Sequence, residues 1–89
     1  FGEPAREIHK DSKGIMHVLG TTRLSKLEEE LGVDFENPDI DTVGGFVLDL
    51  LGRMAEAGDK VVCKGYNLQV TAIDGRGIKE CIVMKDSDI

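Results

Sequence analysis

Apolar and polar positions alternate along this chain in two different rhythms, and the change of rhythm predicts the elements. From Val43 onward, Val43, Phe46, Val47, Leu50, Leu51 and Met54 fall at i, i+3, i+4, i+7, i+8 and i+11, one face of an α-helix. That spacing predicts a helix over 42–54. An earlier, shorter helix is predicted where Leu24, Leu27 and Leu31 share a face. Ser25-Lys26-Leu27-Glu28 has the form of a capping box, Thr22 is a rival cap, and Gly32 stands at the C′ position. Elsewhere the period is two. Tyr66, Leu68, Val70 and Ala72 alternate with Asn67, Gln69 and Thr71, which predicts a half-buried strand.

Turn chemistry divides the remaining strands. Arg6–Lys10 and Ile15–Leu19 flank the polar turn Asp11-Ser12-Lys13-Gly14. Lys60–Lys64 is a strand turned at Gly65, and Asp74-Gly75 signals a hairpin into a last strand over 78–84. In that last strand the apolar phase changes between Ile78 and Cys81/Val83, which predicts a β-bulge near Lys79-Glu80. The expected class is α+β: an antiparallel sheet with two helices packed on it, in the order β-β-α-α-β-β-β. The strands at both chain ends must share one sheet, because the last three alone could not cover two amphipathic helices.

With 89 residues the chain is one domain, and a chain this short folds with little margin, so pairing with another copy or domain would help. The expected boundaries are a disordered leader or remnant at 1–5, the domain at 6–85 and a tail at 86–89. The chain opens on Phe1 rather than methionine, which predicts a piece of something longer. A net charge of −6 argues against nucleic acid as a partner and against an anionic membrane surface. No apolar run approaches the roughly 18 residues needed to span a bilayer. Cys63 and Cys81 form no CxxC pair, and both read as small buried hydrophobes in preference to a disulfide.

Three groups of residues bear on chemistry. The connector at 33–41 is acidic, and Asp39 or Asp41 is expected to cap the second helix. The same pair is the candidate ligand set for a divalent cation, although the EF-hand pattern is absent and a solvated, capping loop is the preferred reading. Asp41, Thr42, Gly44 and Gly45 form a candidate ligand-binding helix start, where free N–H groups and absent Cβ atoms could cradle the phosphate of FAD or an adenine nucleotide. No GxGxxG follows a strand and no P-loop lysine is present, so tight packing of the two glycines against a neighbour is preferred. His9 and His17 fall on neighbouring strands of the first hairpin and read as surface residues, since two ligands make a poor metal site. Asp49 and Arg53 form an i, i+4 pair. No nucleophile or acid–base arrangement is legible, so no enzyme is expected.

Five blocks in order resemble the CorC/HlyC transporter-associated domain: Thr22–Gly32, then Asp41-Thr42-Val43-Gly44-Gly45 with its apolar helix, Leu51-Gly52-Arg53-Met54, Ala57-Gly58-Asp59-Lys60-Val61, and Asp74-Gly75-Arg76-Gly77-Ile78. The resemblance runs from about Arg6 to Val83. It implies an α+β fold similar to part of certain FAD-binding domains. It also implies a place at the C-terminus of hemolysin-like and magnesium/cobalt-efflux proteins, beside CBS domains and a membrane domain. The implied role is non-catalytic modulation of ion transport at the cytoplasmic face of the membrane, with homo-oligomers among the expected assemblies. Ala55 departs from the proline often found there, as do Cys63 and Cys81 from the usual residues at their positions.

Overall fold

A computed structural model describes residues 7–75 and 77–86. The expected leader at 1–5, Arg6, Arg76 and the tail residues 87–89 lie outside the described residues. Seven elements follow the predicted order: β1 (Ile8–Lys10), β2 (Met16–Leu19), α1 (Leu24–Leu31), α2 (Val43–Leu51), β3 (Lys60–Cys63), β4 (Tyr66–Asp74) and β5 (Gly77–Lys85). The five strands form one antiparallel sheet in the order β1-β2-β5-β4-β3. N-terminal and C-terminal strands therefore meet at β2–β5, where Met16 faces Val83 and Val18 faces Cys81.

Both helices cover one face of this sheet. Met16, Val18, Val61, Leu68, Val70, Cys81 and Val83 are buried beneath Leu24, Leu27, Val43, Phe46 and Val47. Phe35, from the acidic connector, packs its ring 4.8 Å from that of Phe46 and closes the core between the helices. Among the described residues the opposite face of the sheet carries no helix. Its residues run in register as one row, His9, His17, Ile82, Gln69 and Lys60, and a second, Met84, Asn67 and Val62.

The bulge predicted near Lys79-Glu80 is present. Between Cys81 and Ile78 the β4–β5 register shifts twice: Ala72 faces Glu80 and Ile73 faces Ile78. Such bulges increase twist and re-aim side chains, which returns Ile78 to the buried face. Lys64 and Gly65 take positive φ, 53° and 82°, between the paired residues Cys63 and Tyr66. This is the two-residue turn whose twist suits a hairpin.

The helices differ from expectation in four respects. First, α2 ends at Leu51, where Gly52 enters the left-handed region (φ 70°) and donates its N–H to Leu48 O at 2.9 Å. Met54 is consequently 84% exposed, and Leu50, in the last turn, is 42% exposed. Periodicity reports which side of a helix turns inward, not how far the neighbours extend along its axis. Second, the cap of α2 is Thr42 rather than Asp39 or Asp41. Third, the N-cap of α1 is Arg23, which makes no side-chain cap, so Ser25 and Glu28 form no capping box; the Glu28 carboxylate instead accepts from Phe35 N at 2.8 Å. Fourth, Arg53 turns away from Asp49 and makes a two-pronged contact with Asp59 (2.8 and 3.0 Å), a geometry that suits the guanidinium fork. Cys81 is buried, Cys63 is half-buried, and both are free thiols.

Candidate functional site

The start of α2 is built on a close approach of two backbones. A Cβ on Gly44 would lie 3.0 Å from Gly20 O and 3.4 Å from Gly20 Cα. Gly20 is itself pressed on β5, where its own Cβ would lie 1.9 Å from Ile78 O. Helix, loop and strand thus stack with no side chain between them, which is the physical reason for glycine at both positions. Gly45 has a different neighbour: its Cβ would meet Thr42 Oγ1 at 3.1 Å and Ile40 Cγ2 at 3.5 Å.

That approach consumes the donors at the helix start. Val43 N donates to Thr22 O, Gly44 N to Gly20 O and Phe46 N to Thr42 O, each at 2.9 Å. Gly45 N donates to Thr42 Oγ1 at 3.1 Å. Of the groups that a helix normally leaves open at this end, those of Val43, Gly44 and Gly45 are occupied by the protein. An adjoining bridge between Arg23 and Thr42, with Leu24 N donating to Asp41 O at 2.8 Å, ties the starts of the two helices together.

The predicted ligand residues are partly brought together. Thr42, Gly44 and Gly45 line an open cleft of about 460 Å³ with Gly20, Leu48, Gly77 and Ile78. None of the described residues lining it is basic, and Asp74 adds a carboxylate. Asp41 is not among them; it borders a smaller cleft of about 210 Å³ beside Arg23, Asn37 and Pro38. Asp39 and Asp41 are both exposed. Among the described residues no three His, Cys, Asp or Glu side chains gather as a group that could hold a metal ion.

Sequence reasoning missed a second polar cluster. His9 and His17 do face each other across β1–β2, with rings stacked at 5.0 Å and 8°. His17 also bridges two carboxylates: its Nε2 lies 2.9 Å from Asp11 Oδ2 and its Nδ1 3.6 Å from Glu80 Oε1. The hydrogen bond to Asp11, with the Glu80 contact behind it, raises the imidazole pKa above its ordinary 6.5 against the opposing effect of burial. The same hydrogen bond, with a backbone donor from Ile15, holds the Asp11 carboxyl down at about 2. Asp11 stands in a predicted polar turn; its pairing with His17 required knowing the hairpin register. Gly20 was missed for the same reason, since nothing local marks it as the neighbour of Gly44.

Residues 9–87 match the family model of the transporter-associated domain, CorC_HlyC. The chain belongs to this family. The transporter-associated domain is 33% identical over 76 residues to the magnesium and cobalt efflux protein CorC of Vibrio cholerae, covering 85% of this chain and 26% of that protein. It thus spans about a quarter of the length of that curated relative. Among solved structures it is similar to the transporter-associated domain of a Xylella fastidiosa hemolysin, in complex with Mg²⁺ and Mn²⁺. That likeness has a TM-score of 0.83 at 20% identity over 92% of this chain and 100% of the other. It is also similar to the transporter-associated domain from a CBS domain protein of Porphyromonas gingivalis. There the TM-score is 0.79 at 25% identity, over 90% and 98% of the two chains. Among the described residues no helix is long and apolar enough to cross a membrane.

Proposed function

We propose that this transporter-associated domain is a non-catalytic regulatory module of a longer protein handling divalent cations such as magnesium or cobalt. It would act at the cytoplasmic face of the membrane, through contacts with CBS and membrane domains of the same protein or with a second copy of itself. The observation that carries this reading is the family match over 9–87, combined with a chain about a quarter as long as a magnesium and cobalt efflux relative. The geometry agrees with it physically: the donors at the start of α2 are already spent on the fold. The test is ion flux and assembly of the parent protein with and without this domain; unchanged flux and unchanged assembly after deletion would refute it.

A second reading rests on the cleft lined by Thr42, Gly44 and Gly45. Its volume lies within the usual range for small ligands, and the relevant candidates are FAD or an adenine nucleotide. Calorimetry with FAD, AMP and ATP decides it, with absence of heat and of a thermal shift removing the reading. A cation at Asp39 and Asp41 would complete its shell with water or carbonyl oxygens. Asp39→Asn with Asp41→Asn should then abolish a magnesium-dependent melting shift.

A further inference from the structure

At one end the sheet outruns its helical cover. Met16, Val83, Leu68 and Val61 face one another across β2, β5, β4 and β3 on the side the helices cover, and all four are buried. Lys10 completes that row on the edge strand β1, opposite Met16. In the next row Lys85 faces Tyr66. Strand residues alternate between faces, so Lys85 lies on the same side as Val83, two positions before it. Helix α1 ends over this last row without crossing it. Gly32 turns the chain away in the left-handed region (φ 71°), and the Tyr66 hydroxyl reaches Leu31 O at 3.4 Å. What is left is an open cleft of about 380 Å³. Ile15, Met16, Leu31 and Val83 line it with apolar surface, and the exposed Lys10 and Lys85 stand at its rim.

We propose that this cleft binds a small amphipathic anion, with an apolar body on the floor and a carboxylate or phosphate head held by Lys10 and Lys85. Charge selects the head. Lys26, Arg53 and Lys64 are each ion-paired with a carboxylate. Among the described residues Lys10 and Lys85 have no such partner. Glu30 also lines the cleft but pairs with neither, so two ammonium groups stand against one carboxylate in a chain whose net charge is −6. The floor selects the body. An inorganic anion would leave the apolar surface wet, a neutral apolar molecule would leave both lysines unpaired, and a divalent cation would meet like charge. The volume lies within the usual range for small-ligand sites, where apolar walls carry a few placed polar groups. The proposal goes beyond the regulatory reading, and the cleft shares no lining residue with the one at the start of α2.

Titration of the ¹⁵N-labelled chain with octanoate, octyl phosphate and octanol, followed by NMR, tests this. Both anions should bind saturably, with dissociation constants of about 1–10 mM for ligands so small, and should shift the amides around Ile15, Leu31, Tyr66 and Lys85. The ratio of the two affinities tells a phosphate ligand from a carboxylate one. Octanol, which lacks the charge, should bind about tenfold more weakly, as should acetate and inorganic phosphate, which lack the body. Lys10→Gln with Lys85→Gln should weaken both octyl anions about tenfold, at about two- to fivefold for each exposed charge pair. Both side chains are exposed, so the fold is kept. Lys60→Gln with Lys79→Gln makes the same change in net charge away from the cleft and should leave the affinities unchanged. Four results would each overturn the proposal: no saturable shift from either anion, octanol binding as well as octanoate, inorganic phosphate binding as well as octyl phosphate, or equal losses in the two double variants.

Discussion

The most demanding test of the architecture is Gly20→Ala, a change of one methyl group. The added Cβ would sit 1.9 Å from the carbonyl oxygen of Ile78 and 2.9 Å from its carbonyl carbon. Both atoms are backbone within the sheet, so no side-chain rotation relieves the overlap. Reaching ordinary van der Waals separation needs a shift on the order of 1.5 Å. That shift strains two hydrogen bonds that Gly20 makes at 2.9 Å, one to Lys79 O and one from Gly44 N. Their loss costs about 1 kcal/mol each, and the overpacking itself about 1–3 kcal/mol. The sum is roughly 3–5 kcal/mol, a large part of the stability of a domain this size. Gly44→Ala meets the same contact more gently, at 3.0 Å from Gly20 O. A gain in helix propensity of up to about 1 kcal/mol offsets part of its cost, leaving a loss of roughly 0–2 kcal/mol. Gly75→Ala serves as the control, because nothing lies within 4 Å of its added Cβ and its φ is not positive. Urea unfolding followed by far-ultraviolet circular dichroism measures all three. With a slope near 1 kcal/mol/M, the Gly20 variant should lose about 3–5 M in midpoint or fail to fold. The reasoning is refuted if Gly20→Ala lies within about 0.5 kcal/mol of the unmodified chain, the spread of an ordinary surface change.

Three other outcomes are expected. Thr42→Ala removes the side-chain acceptor of Gly45 N and should cost about 1 kcal/mol, with Thr42→Ser restoring most of it in the same urea assay. The Asp11–His17 pair makes stability depend on pH from both sides. The His17 contribution is complete below 6.5 and fades as pH rises through its raised folded value, while that of Asp11 is present above 3.8 and fades as pH falls toward 2. A proton NMR titration should therefore find His17 above 6.5, and Asp11→Asn should bring it down; an unmoved midpoint would count against the pairing. Burial pushes the Cys81 thiol up to about 12, whereas Cys63 is half-buried. Ellman's reagent should accordingly titrate one thiol in the folded chain and two in urea.

Much of this molecule was written in local patterns. The order of elements, the Asp74-Gly75 hairpin and the bulge beside Glu80 all follow from periodicity and turn chemistry over a few residues. The ordered blocks from Thr22 to Ile78 carried the family resemblance, and the family match over 9–87 bears it out. The pair Gly44-Gly45 announced that something comes close to the start of α2, without naming it. Only the folded chain identified the neighbour as Gly20, twenty-four residues earlier, and placed Ile78 behind it. The same limit applied to Asp11 and His17, which the hairpin register aligns, and to Arg53, which found Asp59 across a loop instead of Asp49 along a helix. Local signals are set by the backbone dihedrals and apolar spacing of one segment, so one segment suffices to read them. Contacts between segments depend on register and on the length of each element. In this chain α2 stopped at Leu51 rather than Met54, and that single turn decided which apolar side chains joined the core and which were left to solvent.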